Sequence, residues 1–233
     1  MQDSGSVVIV GGTQGIGREL AHHYANRELE VVISGRDEAG AKVAADEIGG
    51  STVGLGFDLA KPHEIGAKLS GFGDVRHLVL AAIERDTNSV REYDIEQALR
   101  LVTLKLVGYT ECIHALLPGM RPESSILLFG GLAKDRPYPG STTVTTVNGA
   151  VTTMIRTLVV ELAPIRVNAL HPGIVGDSPQ WKDKPEVLER VLSRTPTGRM
   201  VTMQDVVEVA ILLLENRSMN GTNVHVDAGW LAL

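Results

Sequence analysis

The stretch Val7-Val8-Ile9-Val10-Gly11-Gly12-Thr13-Gln14-Gly15-Ile16-Gly17 decides the fold. Four apolar, mostly β-branched residues read as a buried strand, and the apolar spacing from Gly17 to Arg27 reads as a helix. Between them, glycines at 11, 15 and 17 permit a tight turn, close backbone approach to a pyrophosphate and tight packing of helix on strand. The free N–H groups at the helix start then face the negative charge. The spacing is GxxxGxG rather than GxGxxG, so the strand before it and the helix after it carry the reading.

Outward from this turn, short β-branched runs alternate with longer helical patterns. Residues 7–10, 31–34, 53–57, 77–81, 126–129, 165–170 and 223–226 are expected as strands. Residues 17–27, 37–48, 62–69, 93–117, 148–162 and 204–216 are expected as helices. This order predicts a single-domain, Rossmann-like α/β fold over residues 1–233, with a doubly wound parallel sheet covered on both faces. No low-complexity linker or internal repeat divides the chain. The irregular stretch 173–184, with Gly, Asp, Ser and Pro, is expected to act as a substrate lid.

Composition narrows the function. With 28 acidic and 22 basic residues the formal charge is −6, and only 4% of residues are aromatic. Neither a basic stripe for nucleic acid nor a set of stacking rings is present, so a nucleic-acid partner is not expected. Cys112 is the single cysteine, excluding an internal disulfide, and it is expected to be buried as a small hydrophobe. No apolar run approaches the roughly 18 residues of a membrane span, and the polar start of the chain lacks signal-peptide character. A cytoplasmic location is expected. No metal site is expected: His22 and His23 point apart on a helix, and His114 and His171 lack ligand spacing to a carboxylate. No G-x-S-x-G elbow supports a serine hydrolase.

The second strand ends Ser34-Gly35-Arg36. An acidic residue usually stands here to hold the adenosine ribose of NAD. Gly35 fills that slot, and the Arg36 guanidinium that follows can fork onto a 2′-phosphate, which favours NADPH (NADP+) as cofactor.

At this point the sequence resembles the short-chain dehydrogenase/reductase family over nearly its whole length. Besides the glycine turn, the resemblance rests on Asp58-Leu59, Glu161-Leu162-Ala163-Pro164, Ile165-Arg166-Val167-Asn168, Pro172-Gly173, Gly198-Arg199, Gly221-Thr222 and Val226-Asp227-Ala228-Gly229-Trp230. It implies a seven-stranded sheet and assembly as a homodimer or homotetramer. It also implies a cofactor site formed by Gly11, Thr13, Gln14, Gly15, Ile16, Gly17, Ser34, Arg36, Asp58, Leu59, Ala81, Ala82, Ile83, Asn148, Pro172, Gly173 and Ile174.

The same resemblance exposes a departure. Members of the family reduce carbonyls with an Asn–Ser–Tyr–Lys set, and the corresponding positions here are Lys105, Gly131, Val144 and Asn148. Val144 cannot donate a proton, and Gly131 offers only its backbone N–H. Lys105 and Asn148 have exchanged the family's residue types. An ammonium at Lys105 with a lowered pKa could act as acid or stabilise an oxyanion. Tyr138, in the loop over the pocket, is a second candidate donor, and Lys134, Asp135 and Arg136 form a charged opening to that loop. The expected function is NADPH-dependent reduction of a small-molecule carbonyl with a non-standard proton donor. The alternatives are a catalytically degenerate NADPH-binding subunit or sensor, and a non-redox isomerase, cyclase or dehydratase on the same fold.

Overall fold

A computed structural model describes residues 5–233. The first strand, β1 (Ser6–Val10), is buried along its whole length, as a strand covered on both faces must be. Its side chains alternate: Val7 and Ile9 pack with Leu20, Tyr24, Val206, Ala210 and Leu213 on one face. Val8 and Val10 pack with Ile65, Leu69, Ile113, Leu116, Val151 and Ile155 on the other. Val7 lies opposite Val31 of β2 (Val31–Gly35) and His77 of β4 (Val75–Leu80), both parallel. With β3 (Thr52–Gly56), β5 (Met120–Phe129), β6 (Arg166–Pro172) and β7 (Asn223–Val226), the sheet runs β3-β2-β1-β4-β5-β6-β7, every pair parallel. This is the expected seven-stranded, doubly wound α/β fold. The strand order reverses between β1 and β4, and the crevice at that switch point is where such sheets bind ligands.

The helices are α1 (Gly15–Ala25), α2 (Glu38–Ile48), α3 (Pro62–Leu69), α4 (Ile95–Val102), α5 (Tyr109–Leu116), α6 (Thr142–Glu161), α7 (Pro185–Leu192) and α8 (Met203–Glu215). Three of them correct the sequence reading. The expected single helix over 93–117 starts later, where the Asp94 carboxylate accepts the Gln97 N–H at 3.0 Å, and is interrupted by a π-helical segment, Thr103–Gly108. Gly108 ends that segment against the Leu59 carbonyl, where a Cβ would come within 2.4 Å. Helix α6 begins six residues before the expected Asn148. The run Thr142-Thr143-Val144-Thr145-Thr146-Val147 has poor helix propensity, but burial of Thr143, Val144 and Val147 overrides it. Helix α7 was not expected; it follows the 173–184 segment with Pro185 in its first turn. Strand β5 also starts earlier than residue 126, at Met120.

The family-like motif around Arg166 and Asn168 has a structural explanation. The buried Arg166 guanidinium donates to the carbonyls of Leu213 and Leu214 in the last turn of α8 and of Met219 in the turn beyond it. Asn168 donates to Met219 O at 2.9 Å and accepts the Thr222 N–H at 3.0 Å. Together they satisfy orphan carbonyls at the helix end and fix the turn into β7. At the other end of α8, Thr202 and Asp205 form a capping box, and Arg199 forks onto Asp205 at 2.7 and 3.0 Å. Among the described residues no helix is long and apolar enough to cross a membrane.

Candidate functional site

The glycine turn after β1 is built from steric necessity. Gly11 and Gly15 have φ of +90° and +57°. A Cβ on Gly11 would lie 2.5 Å from Ala82 N, and one on Gly17 would lie 2.2 Å from Gly11 O. Gly11 and Gly12 both donate to Ser34 O at 3.1 Å, which ties the turn to the end of β2. Gln14 caps α1 without a side-chain hydrogen bond, so no side chain occupies the helix start. Ile16 packs on the core, and Thr13 lies beside Gly35, where a Cβ would meet Thr13 Cγ2 at 2.8 Å. The slot for an acidic side chain is therefore closed.

Arg36 is exposed at the end of β2 and forms no ion pair among the described residues. The acids nearest it in sequence are committed elsewhere. Asp37 accepts the Gly40 N–H at 2.6 Å, and Glu38 accepts the Gly56 N–H and binds Lys68 at 2.9 Å. The Lys68 bond holds the Glu38 carboxyl down at about 2. A dinucleotide fits this cradle: small residues where its backbone would approach, a helix start free of side chains, and an unpaired guanidinium at the adenosine end.

Asp58 and Leu59 divide in role. The Asp58 carboxylate accepts the Ala60 N–H at 2.9 Å and binds Arg100 at 3.0 Å, while Leu59 is buried in the core. Arg100 also binds Glu84 at 2.8 Å, joining the end of β3 to the segment after β4. Ala81 donates to Val10 O at 2.9 Å, and Ala82 faces the turn at Gly11. Ile83 is 60% exposed. On the far side of the crevice, Gly173 donates to Val226 O and packs on Asp227, with Pro172 and Ile174 on either side of it. The segment beyond leads back over the crevice: Pro179 lies 3.6 Å from a Cβ built on Gly15.

The positions expected to supply acid–base chemistry are differently constructed. Lys105, in the π-helical segment, is only 3% exposed, and its Nζ donates to Tyr109 Oη at 3.1 Å. Tyr109 Oη in turn donates to Ala82 O at 2.7 Å, and the Lys105 ammonium lies 4.7 Å from the Tyr109 ring centroid. No carboxylate pairs with Lys105 among the described residues. Burial, reinforced by Arg85, pushes its pKa down to about 7. Burial pushes the Tyr109 hydroxyl up, so it stays neutral and bridges Lys105 and the Ala82 carbonyl by hydrogen bonds.

Gly131 and Asn148 are coupled by space. A Cβ at 131 would lie 2.9 Å from Asn148 Nδ2, so the missing side chain at one position makes room for the amide at the other. Val144 is buried with Leu101 and Val147 in a small apolar cluster. Tyr138 is 48% exposed in a turn closed by Ser141, whose hydroxyl bonds both its N–H and its carbonyl. The structure thus brings Lys105 and Tyr109 together and leaves Tyr138 at the rim. Lys134 and Asp135 pair with each other, and Arg136 stacks on Trp230 at 4.1 Å.

Sequence reasoning missed Tyr109, Asn88, Arg85 and Trp181. The i, i+4 spacing of Lys105 and Tyr109 was a usable signal for the first. Asn88 is fully buried and bonds Gly140 O and Thr142 N through its backbone, and Asp94 through its side chain. It thereby fastens the segment after β4 to the loop before α6. Arg85 stands 5.0 Å from the ring centroid of Trp181, in the segment after β6. Nothing local in the sequence links those two. Among the described residues no group of three or more His, Cys, Asp or Glu side chains is placed to hold a metal ion.

Comparison with known proteins resolves the family. A sequence model for the family described as Enoyl-(Acyl carrier protein) reductase matches residues 10–231. The chain belongs to the short-chain dehydrogenase/reductase family. Within it, the chain is similar to the 3-oxoacyl-[acyl-carrier-protein] reductase of Bos taurus, with 31% identity over 95% of each chain. It is 30% identical to the Inactive 2-(S)-hydroxypropyl-CoM dehydrogenase 2 of Xanthobacter autotrophicus, covering 92% of this chain and all of that one. Among solved structures it resembles a Beutenbergia cavernae protein described as an NAD(P) dependent gluconate 5-dehydrogenase with NADP bound at low occupancy. The TM-score is 0.87 and the identity 27%, over 98% of this chain and 97% of that one. The family is one of nicotinamide-dependent oxidoreductases.

Proposed function

We propose that the protein is an NADPH-dependent reductase of a small-molecule carbonyl in which Lys105 takes over the proton-donating and oxyanion-stabilising work. The observation that carries this reading is Lys105 itself: buried, without a carboxylate partner, anchored through Tyr109 to Ala82, and held near neutrality in pKa.

The turn at Gly11, Gly15 and Gly17, with the N–H groups at the start of α1, would hold the pyrophosphate; Thr13 and Gln14 flank it. Arg36, with Ser34 beside it, would take the 2′-phosphate, which makes NADPH the preferred form. Asp58, Leu59, Ala81, Ala82 and Ile83 would lie along the adenosine and ribose, Asn148 at the nicotinamide ribose, and Pro172, Gly173 and Ile174 behind the nicotinamide. What a bound NADPH supplies is hydride to the carbonyl carbon. The oxygen then develops negative charge and needs a proton. The ammonium of Lys105 meets that charge electrostatically and can release its proton near pH 7, while Tyr109 holds the amine in place. Asn148 offers an amide where the family has a cation, so the positive charge has moved from α6 to the π-helical segment.

Exposed Tyr93, Ile95, Leu99 and Val107 make the outer face of α4 and the π-helical segment apolar, which supports a homodimer or homotetramer. A second reading rests on Val144: with no hydroxyl there, the protein would bind NADPH without turnover; the Xanthobacter relative carries the word inactive in its name. Following NADPH absorbance against a panel of aldehydes and ketones separates the two. Oxidation that Lys105→Ala lowers by roughly 10²-fold or more supports the reductase. NADPH binding with no oxidation by any carbonyl supports the second reading.

A further inference from the structure

One side chain draws together two segments that the sheet keeps apart. Asp58 follows β3 and Glu84 follows β4, and β2 and β1 lie between those strands. At the usual strand spacing, β3 and β4 are about 14 Å apart. Arg100, on α4, reaches both segments. Its Nη1 and Nη2 donate to Asp58 Oδ2 and Oδ1 at 3.0 and 3.3 Å. Its Nε and Nη2 donate to Glu84 Oε1 and Oε2 at 2.8 and 2.9 Å. Two forks from one planar guanidinium fix both carboxylates in place, and a lysine ammonium cannot reproduce them. Helix α4 is itself tied to the segment after β4. Asn88 donates to Asp94 O at 2.8 Å and accepts the Asp94 N–H at 3.0 Å, just before the helix starts.

Each anchored carboxylate stands next to a wall of the crevice. Glu84 is two residues from Ala82, whose N lies 2.5 Å from a Cβ built on Gly11. A shift of that segment is therefore felt at the glycine turn. Asp58 also accepts the Ala60 N–H and precedes Leu59, whose carbonyl lies 2.4 Å from a Cβ built on Gly108. We propose that Arg100 is a positioning residue for the dinucleotide, setting the width of the adenosine side of the crevice by clasping Asp58 and Glu84 together. This rests on the reading of the crevice as a dinucleotide site. Arg100 acts through Asp58-Leu59 and Ala81-Ala82-Ile83 rather than by contact with the nucleotide. An open hollow of about 440 Å³, lined in part by Ala60, Leu99, Arg100 and Thr103, leaves the guanidinium reachable from solvent.

The test measures NADPH and NADH affinity by calorimetry in the unaltered protein, Arg100→Ala, Arg100→Lys and Glu84→Gln. Arg100→Ala is expected to weaken both nucleotides by a similar factor, roughly tenfold or more, and Arg100→Lys to recover little of it. Glu84→Gln, which weakens one fork and leaves the other, should fall between. Added methylguanidinium, entering through the hollow, should restore affinity in Arg100→Ala, and methylammonium should not. Affinity lost only through a weakened fold would not distinguish the two ions, and thermal melting without nucleotide measures that weakening separately. If Arg100→Ala does not fold, Arg100→Lys and Glu84→Gln carry the test. Unchanged affinity in Arg100→Ala, near-full affinity in Arg100→Lys, or equal rescue by both ions would overturn the proposal. So would full affinity in Glu84→Gln beside a loss in Arg100→Ala, since Arg100 would then touch the nucleotide directly. If the unaltered protein binds neither nucleotide, the dinucleotide reading fails and the clasp has nothing to position. Binding that no variant weakens ends the role of Arg100 alone.

Discussion

The two halves of the crevice are held by different kinds of constraint. Around the phosphate turn, backbone meets backbone: Gly17 against Gly11 O, Gly11 against Ala82 N, Gly12 and Gly11 on Ser34 O. There is no space for a side chain, so the residue types follow from geometry. In the half proposed for acid–base work, side chains set the packing: Lys105 meets Tyr109, Val144 meets Leu101 and Val147, and the Asn148 amide fills the space that Gly131 leaves open. Side chains can be exchanged in compensating sets, and under the proposed function this half has been rebuilt. A family resemblance therefore transfers more safely to a site made of main chain than to one made of side chains.

The largest effect that would sharpen this contrast comes from Lys105. Its folded pKa of about 7 lies below its unfolded value of about 10.4, so between those pH values the unfolded chain binds more protons. Stability contributed by this group thus rises with pH across that window, and below it the buried ammonium is a penalty. Lys105→Met is expected to raise unfolding free energy at pH 6, by up to about 4 kcal/mol, and to remove that rise. Denaturant melts across pH measure it. A destabilised variant with an unchanged pH slope would mean that Lys105 is not buried as a charge.

Next in size, Gly17→Ala forces a Cβ onto Gly11 O and is expected to cost about 2–3 kcal/mol and abolish dinucleotide binding. Unchanged binding by calorimetry would break the main-chain half of the comparison. Arg36→Ala is expected to weaken NADPH by about 2 kcal/mol, roughly 30-fold, with NADH unaffected. Equal weakening of both would remove the 2′-phosphate role. Smallest, Gly131→Ser should displace Asn148 at a cost of about 1 kcal/mol without creating a reductase of the usual kind, because Val144 still lacks a hydroxyl. Thermal melts and the carbonyl panel measure both.

The sheet was legible because each strand is a local run of β-branched residues and the phosphate turn carries its own glycine spacing. The break at Thr103–Gly108 was not, since it depends on Gly108 meeting the Leu59 carbonyl from a distant strand end. The start of α6 was hidden because burial overruled the weak propensity of Thr142 to Val147. In the site, the positions 105, 131, 144 and 148 came from the family resemblance, and their surroundings became readable only in the fold. What replaced them was less so: the Arg85–Trp181 contact joins segments that follow β4 and β6, and only the fold brings them together.

The central claim is that the charge lost from α6 has been re-created at Lys105 for the same reaction. NADPH oxidation by the carbonyl panel, measured against pH for the unaltered protein and Lys105→Met, tests it most directly. The account predicts a rate that falls as pH rises through about 7, with that limb and roughly 10²-fold or more of the rate lost in the variant. Identical pH profiles in the two proteins, or no oxidation of bound NADPH by any carbonyl, would contradict it.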